Sequence, residues 1–344
     1  MTTHMTQVTL LSVLLGAGFS KWAAELPVTA GLFDFAIDPF GVRDDRKIEV
    51  VRLAKSAWDQ EHPEGLAEQF IAFALTDSHE VRTAVSWDIV HRLSEPYIWK
   101  EWHAGKPRRH VLMIDENRKY ERASVTRARD FLYRVRPFIS GIITTNYDLL
   151  VEYALGTRLF NYGQPGEVLT GRGPYPLSQW RNPVTLHGSI AMAKIHGSIS
   201  WDMEGRYTEG RRGITGNALI VAPTPEKTAP ASLAFEWELA ARILRESTRL
   251  LVFGFAFNPY DEALLSHLKE HGCNIKHVIV VDKSHRPDRV VAIWPQADVC
   301  LLPPPPEEGP EREDWFENLD RAVIGPTNNV LPPAMPSQKP LLAR

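Results

Sequence analysis

The feature that most constrains the fold is a set of short apolar runs that alternate with helical segments. ISGIITT, ALIVAP, RLLVFGF and HVIVVD are each the length of one strand, and stretches of helical pattern separate them after residue 139. HVIVVD has no inward polar residue, which is typical of a strand covered on both faces. The pattern therefore predicts an α/β fold with a Rossmann-like parallel sheet and helices on both faces. In such sheets, ligands bind beyond the carboxyl ends of the strands.

The first predicted strand, LSVLL, runs directly into a glycine turn. Five residues form that turn: Gly16, Ala17, Gly18, Phe19 and Ser20. Glycines let backbone N–H groups approach a phosphate, and the helix that follows offers the positive end of its dipole. The third glycine of the dinucleotide fingerprint is absent, because Ser20 follows Phe19. Two interpretations of this turn therefore remain at this point: a phosphate loop and an ordinary tight turn.

Length and composition exclude a few functional classes. A chain of 344 residues can form one large domain with an insertion, or two smaller domains. The net charge of −3 gives no indication of nucleic-acid binding. Two cysteines, Cys273 and Cys300, cannot supply a four-thiolate zinc site within the chain. No basic flank precedes the N-terminal apolar stretch, and no run approaches the ~20 apolar residues that span a bilayer, so we expect a cytoplasmic protein without membrane contact.

The chain is predicted to contain three regions. Residues 1–35 and 138–302 form the Rossmann-like domain, residues 36–137 form a helical insertion or small domain, and residues 303–344 form a proline-rich C-terminal tail. Residues 100–136 hold eleven Lys or Arg and five Asp or Glu, a local charge of +6. A solvated helix face, a partner contact and a nucleic-acid contact remain open for this basic segment.

The most distinctive polar cluster is TTNYD, which follows the predicted strand ISGII. Thr145 and Asn146 stand at the strand end, and Asp148 is expected in the first helical turn, where the dipole favours a carboxylate. The Asn146 carboxamide offers donors and an acceptor in fixed geometry. An ordinary helix N-cap is the alternative interpretation of Asn146.

A second cluster, KIHGSISW, brings His196 to the same predicted edge. Its imidazole can take a proton near neutral pH, although His187 in an earlier His-Gly-Ser competes for this assignment. Gly254 and Phe255 end RLLVFGF, and Asp282 ends HVIVVD, where an acid can accept hydrogen bonds from ribose hydroxyls. A helix cap is the alternative for each of these strand ends.

The segments GAGFS, TTNYD, KIHGSISW, FGFAF and VVDK occur in this order. That order resembles the sirtuin-like superfamily, and in particular the sirtuin-like NAD-cleaving domains of bacterial antiphage defence systems of the sirtuin–HerA type. The resemblance covers roughly half of the chain. It implies NAD as the substrate, with phosphates at Gly16, Ala17, Gly18 and Ser20, and with Phe19 and Thr145 in the same binding set. It further implies that Gly254 and Phe255 line the adenosine side and Asp282 the adenine ribose.

The resemblance also implies catalytic roles. Asn146 would place the attacking water beside the nicotinamide ribose, Asp148 would hold Asn146, and His196 would be the general base. The expected reaction is hydrolysis of NAD+ to nicotinamide and ADP-ribose, without a metal, which would deplete NAD during antiphage defence.

The expected control is assembly, as a homo-oligomer or with a HerA-like DNA-translocating ATPase or an Argonaute-like protein. Two other functions remain open: a non-catalytic scaffold subunit that binds NAD or ADP-ribose, and an NAD-dependent deacylase. The missing zinc cysteines disfavour the deacylase. A dehydrogenase is disfavoured because no clear strand precedes an acid about 20 residues after the glycines.

Overall fold

The structure is a computed structural model, and it describes residues 10–35, 44–93, 98–103, 106–111, 123–156, 158–163, 168–169, 184–185, 188–202, 218–223, 225, 231–283, 286–307 and 309–324. The chain divides into two compact units, Met1–Pro304 and Pro305–Arg344. Within these described ranges, no helix has the length and apolar character needed to cross a membrane.

The strands are β1 (Leu11–Leu15), β2 (Ile98–His103), β3 (Lys106–Val111), β4 (Ile139–Thr144), β5 (Phe160–Asn161), β6 (Val168–Leu169), β7 (Val184–Thr185), β8 (Ile190–Lys194), β9 (Gly197–Asp202), β10 (Ala218–Ile220), β11 (Arg249–Phe253), β12 (His277–Val281) and β13 (Asp298–Leu302). The helices are α1 (Ala17–Ala24), α2 (Asp45–Glu61), α3 (Ala67–Thr76), α4 (His79–Leu93), α5 (Ala123–Val135), α6 (Leu150–Leu155), α7 (Ala234–Arg245), α8 (Glu262–His271), α9 (Pro287–Ile293) and α10 (Pro310–Ile324).

Seven of the strands form one parallel sheet in the order β13-β12-β11-β1-β4-β8-β5. The predicted α/β class with a Rossmann-like parallel sheet is confirmed. The chain passes from β1 to β4 on one side and returns to β11 on the other. The carboxyl end of β1 is therefore a topological switch point, where open α/β sheets form their ligand crevices.

Helices cover both faces of this sheet. Ser12 of β1 and Gly141 of β4 are paired, and both contact Ile243 of α7. Three residues later in β1, on the opposite face, Leu15 pairs with Phe253, whose ring lies 5.3 Å from that of Phe19 in α1. The predicted placement of helices on both faces follows from this alternation.

The segment between β1 and β4 contains more than helices. α2, α3 and α4 pack on one another, but β2 and β3 form an antiparallel hairpin that helical periodicity did not predict. Much of the basic segment, residues 112–122 included, lies outside the described residues. In the second unit, α10 begins at Pro310, a residue suited to the first helical position, and residues 325–344 lie outside the described part.

Candidate active site

A cleft of about 390 Å³ opens at the carboxyl ends of five strands of the sheet. Those strands are β1, β4, β8, β11 and β12. Ten of the predicted site residues line the cleft: Ala17, Gly18, Ser20, Thr145, Asn146, Asp148, His196, Gly254, Phe255 and Asp282. Gly16 and Phe19 do not line it. The inserted helices also reach the cleft, through Glu68 of α3 and Leu93 of α4.

Three glycines lie where the turns after β1 and β11 touch at one side of the cleft, and we call Gly16, Gly18 and Gly254 the glycine wall. The Gly16 N–H donates to Phe253 O at 3.0 Å, and the Gly18 N–H donates to Gly254 O at 2.9 Å. Gly254 has φ of 65°, and a Cβ there would lie 2.3 Å from the Phe19 nitrogen. Glycine is required at Gly254 because the two turns touch backbone to backbone.

This packing uses backbone amides that the predicted phosphate loop would have offered to a ligand. The Gly18 amide is already bonded to Gly254 O, and the Phe19 amide donates to Gly16 O at 2.9 Å. Gly18, Phe19 and Ser20 lie inside α1, whose N-cap is Gly16. The turn is therefore a direct strand-to-helix junction, not an open cradle of free amides.

Phe19 belongs to the core. Its side chain is fully buried and contacts the rings of Trp22, Phe131 and Phe253 at centroid distances of 5.3–6.0 Å. It therefore anchors α1 against β11 and α5, and it presents no side-chain group to the cleft.

Asn146 is oriented by a chain of hydrogen bonds. Its Nδ2 donates to Gly16 O and to Ser20 Oγ, both at 2.9 Å, and Ser20 Oγ donates to Asp148 Oδ2 at 2.6 Å. Both amide hydrogens are thereby used, which leaves the carbonyl Oδ1 of Asn146 as the atom that can accept a hydrogen bond from a ligand. Ser20 connects Asn146 to Asp148, a role that the phosphate-loop interpretation did not include.

Asp148 lies before its helix, not within it. α6 begins at Leu150, whose N–H donates to Asp148 Oδ1 at 2.9 Å, so the predicted position in the first helical turn is wrong by two residues. An Asp side chain that bonds the amide two residues ahead forms an Asx turn, and this local bond competes with helix geometry. Both Asp148 oxygens are thus used to fix the loop.

A buried lysine stabilises the loop that contains Asp148. Lys194 Nζ donates to Asp148 O at 2.6 Å and lies 3.0 Å from Glu152 Oε1, and both side chains are fully buried. A buried charge persists only when it is paired and hydrogen-bonded. The end of β8 and the start of α6 are therefore held together by an ion pair.

His196 follows β8 by two residues, and backbone bonds fix its position. The Ile195 N–H donates to Thr144 O at 3.1 Å, and the Trp237 indole Nε1–H donates to Ile195 O at 3.0 Å. Gly197 has φ of 85°, and a Cβ there would lie 2.0 Å from Leu219 O. The glycine after His196 is thus required for the turn. His187, the competing residue, lies outside the described residues.

Sequence reasoning missed Asp261. Its Oδ2 lies 3.3 Å from His196 Nε2, and both side chains are buried. Asp261 precedes α8 in the segment NPYDEALL, where an acid before an apolar helix is the pattern of an N-cap. The Asp261 side chain makes no cap hydrogen bond, so that pattern concealed a site residue.

The cleft is acidic. Its charged lining residues are Glu68, Asp148, Asp261 and Asp282, and no Lys or Arg of the described residues lines it. Burial, together with the charges of Asp261 and Glu68, raises the pKa of the Tyr147 phenol far above its usual range. Tyr147 is therefore neutral at physiological pH, and its hydroxyl donates to Val221 O at 2.9 Å. The electrostatics of the site favour positive charge.

Comparisons with known proteins were made for family, sequence and structure. No protein-family model matches the chain, and no curated protein matches it. Its fold is similar to a Sir2 homolog–NAD complex, at 14% identity over 91% of this chain and 90% of that chain, with a TM-score of 0.40. It is also similar to Sir2Tm bound to a propionylated peptide, at 14% identity over 92% and 94% of the two chains, with a TM-score of 0.38. Similarity at this level establishes no family for the chain.

Proposed function

We propose that the chain is an NAD+ hydrolase that cleaves the bond between nicotinamide and ribose. The observation that carries this proposal is that the Asn146 carboxamide and the His196 imidazole, far apart in the sequence, line one cleft with the turns after β1 and β11. The segments that resemble sirtuin-like NAD-cleaving domains end at this same edge. The cleft volume of about 390 Å³ is within the range of small-molecule sites.

The acidic lining fits a reaction that passes through a cation. The nicotinamide ring of NAD+ is a positively charged pyridinium, and glycosidic cleavage gives the ribose an oxocarbenium-like charge. Fixed carboxylates near a developing positive charge stabilise the transition state. Nicotinamide leaves as a neutral molecule, so no general acid is needed.

In the proposed step, water attacks the anomeric carbon of the nicotinamide ribose. Asn146 Oδ1, the atom left by the bonds to Gly16 and Ser20, accepts a hydrogen bond from that water. His196 takes the proton that the water releases. A carbon–oxygen bond forms as the carbon–nitrogen bond breaks. The electron pair of the broken carbon–nitrogen bond goes to the nicotinamide nitrogen.

The diphosphate of NAD requires a different contact from the one predicted by sequence. The Gly18 and Phe19 amides already donate within the protein. We assign the diphosphate to the N-terminus of α1, where the helix dipole and the remaining first-turn amide at Ala17 favour an anion. Asp282, at the end of β12, is the assigned contact for the adenine ribose.

The direct test is incubation of the purified protein with NAD+ and measurement of nicotinamide and ADP-ribose. Asn146→Ala and His196→Ala should each lower nicotinamide release at least about 100-fold. Asn161→Ala and His91→Ala are matched controls, since both remove a buried side chain of the same type outside the cleft. Full activity in the Asn146 or His196 variant would contradict the assigned roles.

The scaffold alternative predicts a different result. NAD+ would raise the melting temperature of the protein yet be recovered intact. We further propose, from the resemblance alone, that activity depletes NAD in antiphage defence and is controlled by assembly of the chain with itself or with a HerA-like ATPase or an Argonaute-like protein. NAD+ recovered intact from the chain alone and from its mixtures with each candidate partner would contradict this proposal.

A further inference from the structure

Asp261 stands at the edge of the cleft in direct contact with His196. Oδ2 of Asp261 lies 3.3 Å from Nε2 of His196, and the two side chains are 4% and 5% exposed. The other imidazole nitrogen, Nδ1, has no hydrogen-bond partner among the described residues. A carboxylate beside one ring nitrogen fixes which nitrogen carries the proton.

The surroundings of Asp261 do not explain it as a structural residue. It occupies the N-cap position of α8, but its side chain accepts no bond from the helix. Its second oxygen, Oδ1, is buried without a hydrogen-bond partner in the described part of the chain. A buried carboxylate oxygen left unpaired costs stability, and such exceptions in folded proteins call for an explanation.

We propose that Asp261 is the positioning residue of the general base, an inference that rests on the proposed function. Asp261 accepts the Nε2–H of His196, which leaves the lone pair on Nδ1 to take a proton from the attacking water. The imidazolium that forms is then paired with the carboxylate. The Tyr147 ring also lies near, with its centroid 6.4 Å from that of His196. The remaining acidic residues that line the same cleft are Glu68, Asp148 and Asp282.

The first test is Asp261→Asn, which keeps the size of the side chain and removes its charge. We expect kcat for nicotinamide release to fall about 10²- to 10⁴-fold, with KM within about threefold of the wild type. Asp261→Glu, which retains the carboxylate, should recover part of kcat. A rise in KM or a loss of stability, with kcat preserved in both variants, would contradict the proposal.

The chain offers a matched control for this substitution. Asp298 Oδ2 also lies 3.3 Å from a histidine nitrogen, Nδ1 of His277, but this pair is exposed and outside the cleft. Asp298→Asn should therefore leave kcat unchanged. A comparable loss in both variants would show a general effect of removing a carboxylate, against the proposal.

A double substitution separates an action through His196 from a direct action on the substrate. In a His196→Ala background, Asp261→Asn should cause no further loss of kcat, because the group that it positions is absent. Multiplied losses in the double variant would instead assign Asp261 to the substrate.

The last experiment does not depend on activity. ¹⁵N NMR of the imidazole nitrogens, with His196 assigned by comparison with His196→Ala, should show a proton on Nε2 in the wild type and a changed tautomer in Asp261→Asn. The same tautomer in both proteins would overturn the inference about Asp261. Absence of NAD+ cleavage together with the expected tautomer change would overturn the proposed function alone.

Discussion

The two sides of the cleft are built by different physical means. The glycine wall (Gly16, Gly18 and Gly254) is held by backbone hydrogen bonds and by contacts too close for any Cβ. We call the adjoining side, formed by Asn146, Asp148 and His196 after β4 and β8, the polar wall. It is held by side-chain hydrogen bonds, by the buried Lys194–Glu152 ion pair and by the contact between His196 and Asp261.

This difference determines which side carries information about function. Any protein in which a β1–α1 junction touches the turn after β11 needs glycine at these points, whether or not it binds a ligand. The polar wall has no such packing requirement. Burying a carboxamide, a carboxylate and an imidazole costs stability unless each group is hydrogen-bonded. Their presence together at a sheet edge is therefore evidence for a catalytic or binding site.

The largest expected effect is on stability, at the glycine wall. Gly254→Ala introduces a Cβ at positive φ, 2.3 Å from the Phe19 nitrogen, where neither backbone can retreat. We expect the free energy of unfolding to fall by about 3–5 kcal/mol, from strain and overpacking together. Chemical denaturation measures this change.

Gly156 provides the control for that experiment. It also has positive φ, 73°, but a Cβ there would meet nothing within 4 Å. Gly156→Ala should cost only the conformational strain at its φ of 73° and ψ of 166°, about 1–3 kcal/mol. Equal losses in the two variants would mean that close contact does not define the glycine wall.

At the polar wall, the larger effect should be on activity. Asn146→Asp preserves shape but replaces two N–H donors by an oxygen that faces Gly16 O and Ser20 Oγ. We expect nicotinamide release to fall at least about 100-fold, and stability to fall by about 1–3 kcal/mol. Kinetic and denaturation measurements on the same sample compare the two losses. A stability loss with normal turnover would make the two walls alike.

The contrast between the two walls also explains which features of the fold and of the site could be predicted from the sequence. The apolar runs predicted the parallel sheet, and strand ends predicted ten of the residues that line the cleft, because parallel strands end at one edge. The sequence did not reveal that Phe19 turns into the core, that Ser20 bonds Asp148, or that Asp261 reaches His196. Those contacts depend on side-chain direction across elements far apart in the chain, which local patterns do not encode.

Ser20 tests whether the relay between Asn146 and Asp148 matters for activity. Ser20→Ala leaves Asp148 Oδ2 and one Asn146 N–H without their partner. We expect a loss of about 1–2 kcal/mol in stability and a roughly tenfold loss of nicotinamide release. Ser12→Ala is the control, because Ser12 is a fully buried serine bonded to Ile243 O and lies outside the cleft. It should lose similar stability and no activity.

The smallest expected effect is a loss of stability next to the polar wall at low pH. Burial, with the charge of His271 next, lowers the pKa of His267 to about 4. This pKa is below the value of about 6.5 for a histidine in the unfolded chain. The unfolded state therefore binds more protons than the folded state between about pH 4 and pH 6.5. The contribution of His267 to stability is therefore complete above about pH 6.5 and is lost as the pH falls toward 4, an effect on the order of 1 kcal/mol after allowance for its partial exposure.

His267 packs edge-on against Trp237, 5.0 Å between ring centroids, and Trp237 holds Ile195 next to His196. Acid should thus loosen the polar wall before the glycine wall, whose backbone contacts contain no titratable group. Hydrogen-exchange protection factors at pH 7 and pH 4.5 compare the Ile195 amide, bonded to Thr144 O, with the Gly18 amide, bonded to Gly254 O. His267→Phe, which keeps a ring against Trp237 and cannot titrate, should remove the difference. Equal loss of protection at both amides would mean that acid weakens the fold as a whole, and the two walls would then be one structural unit.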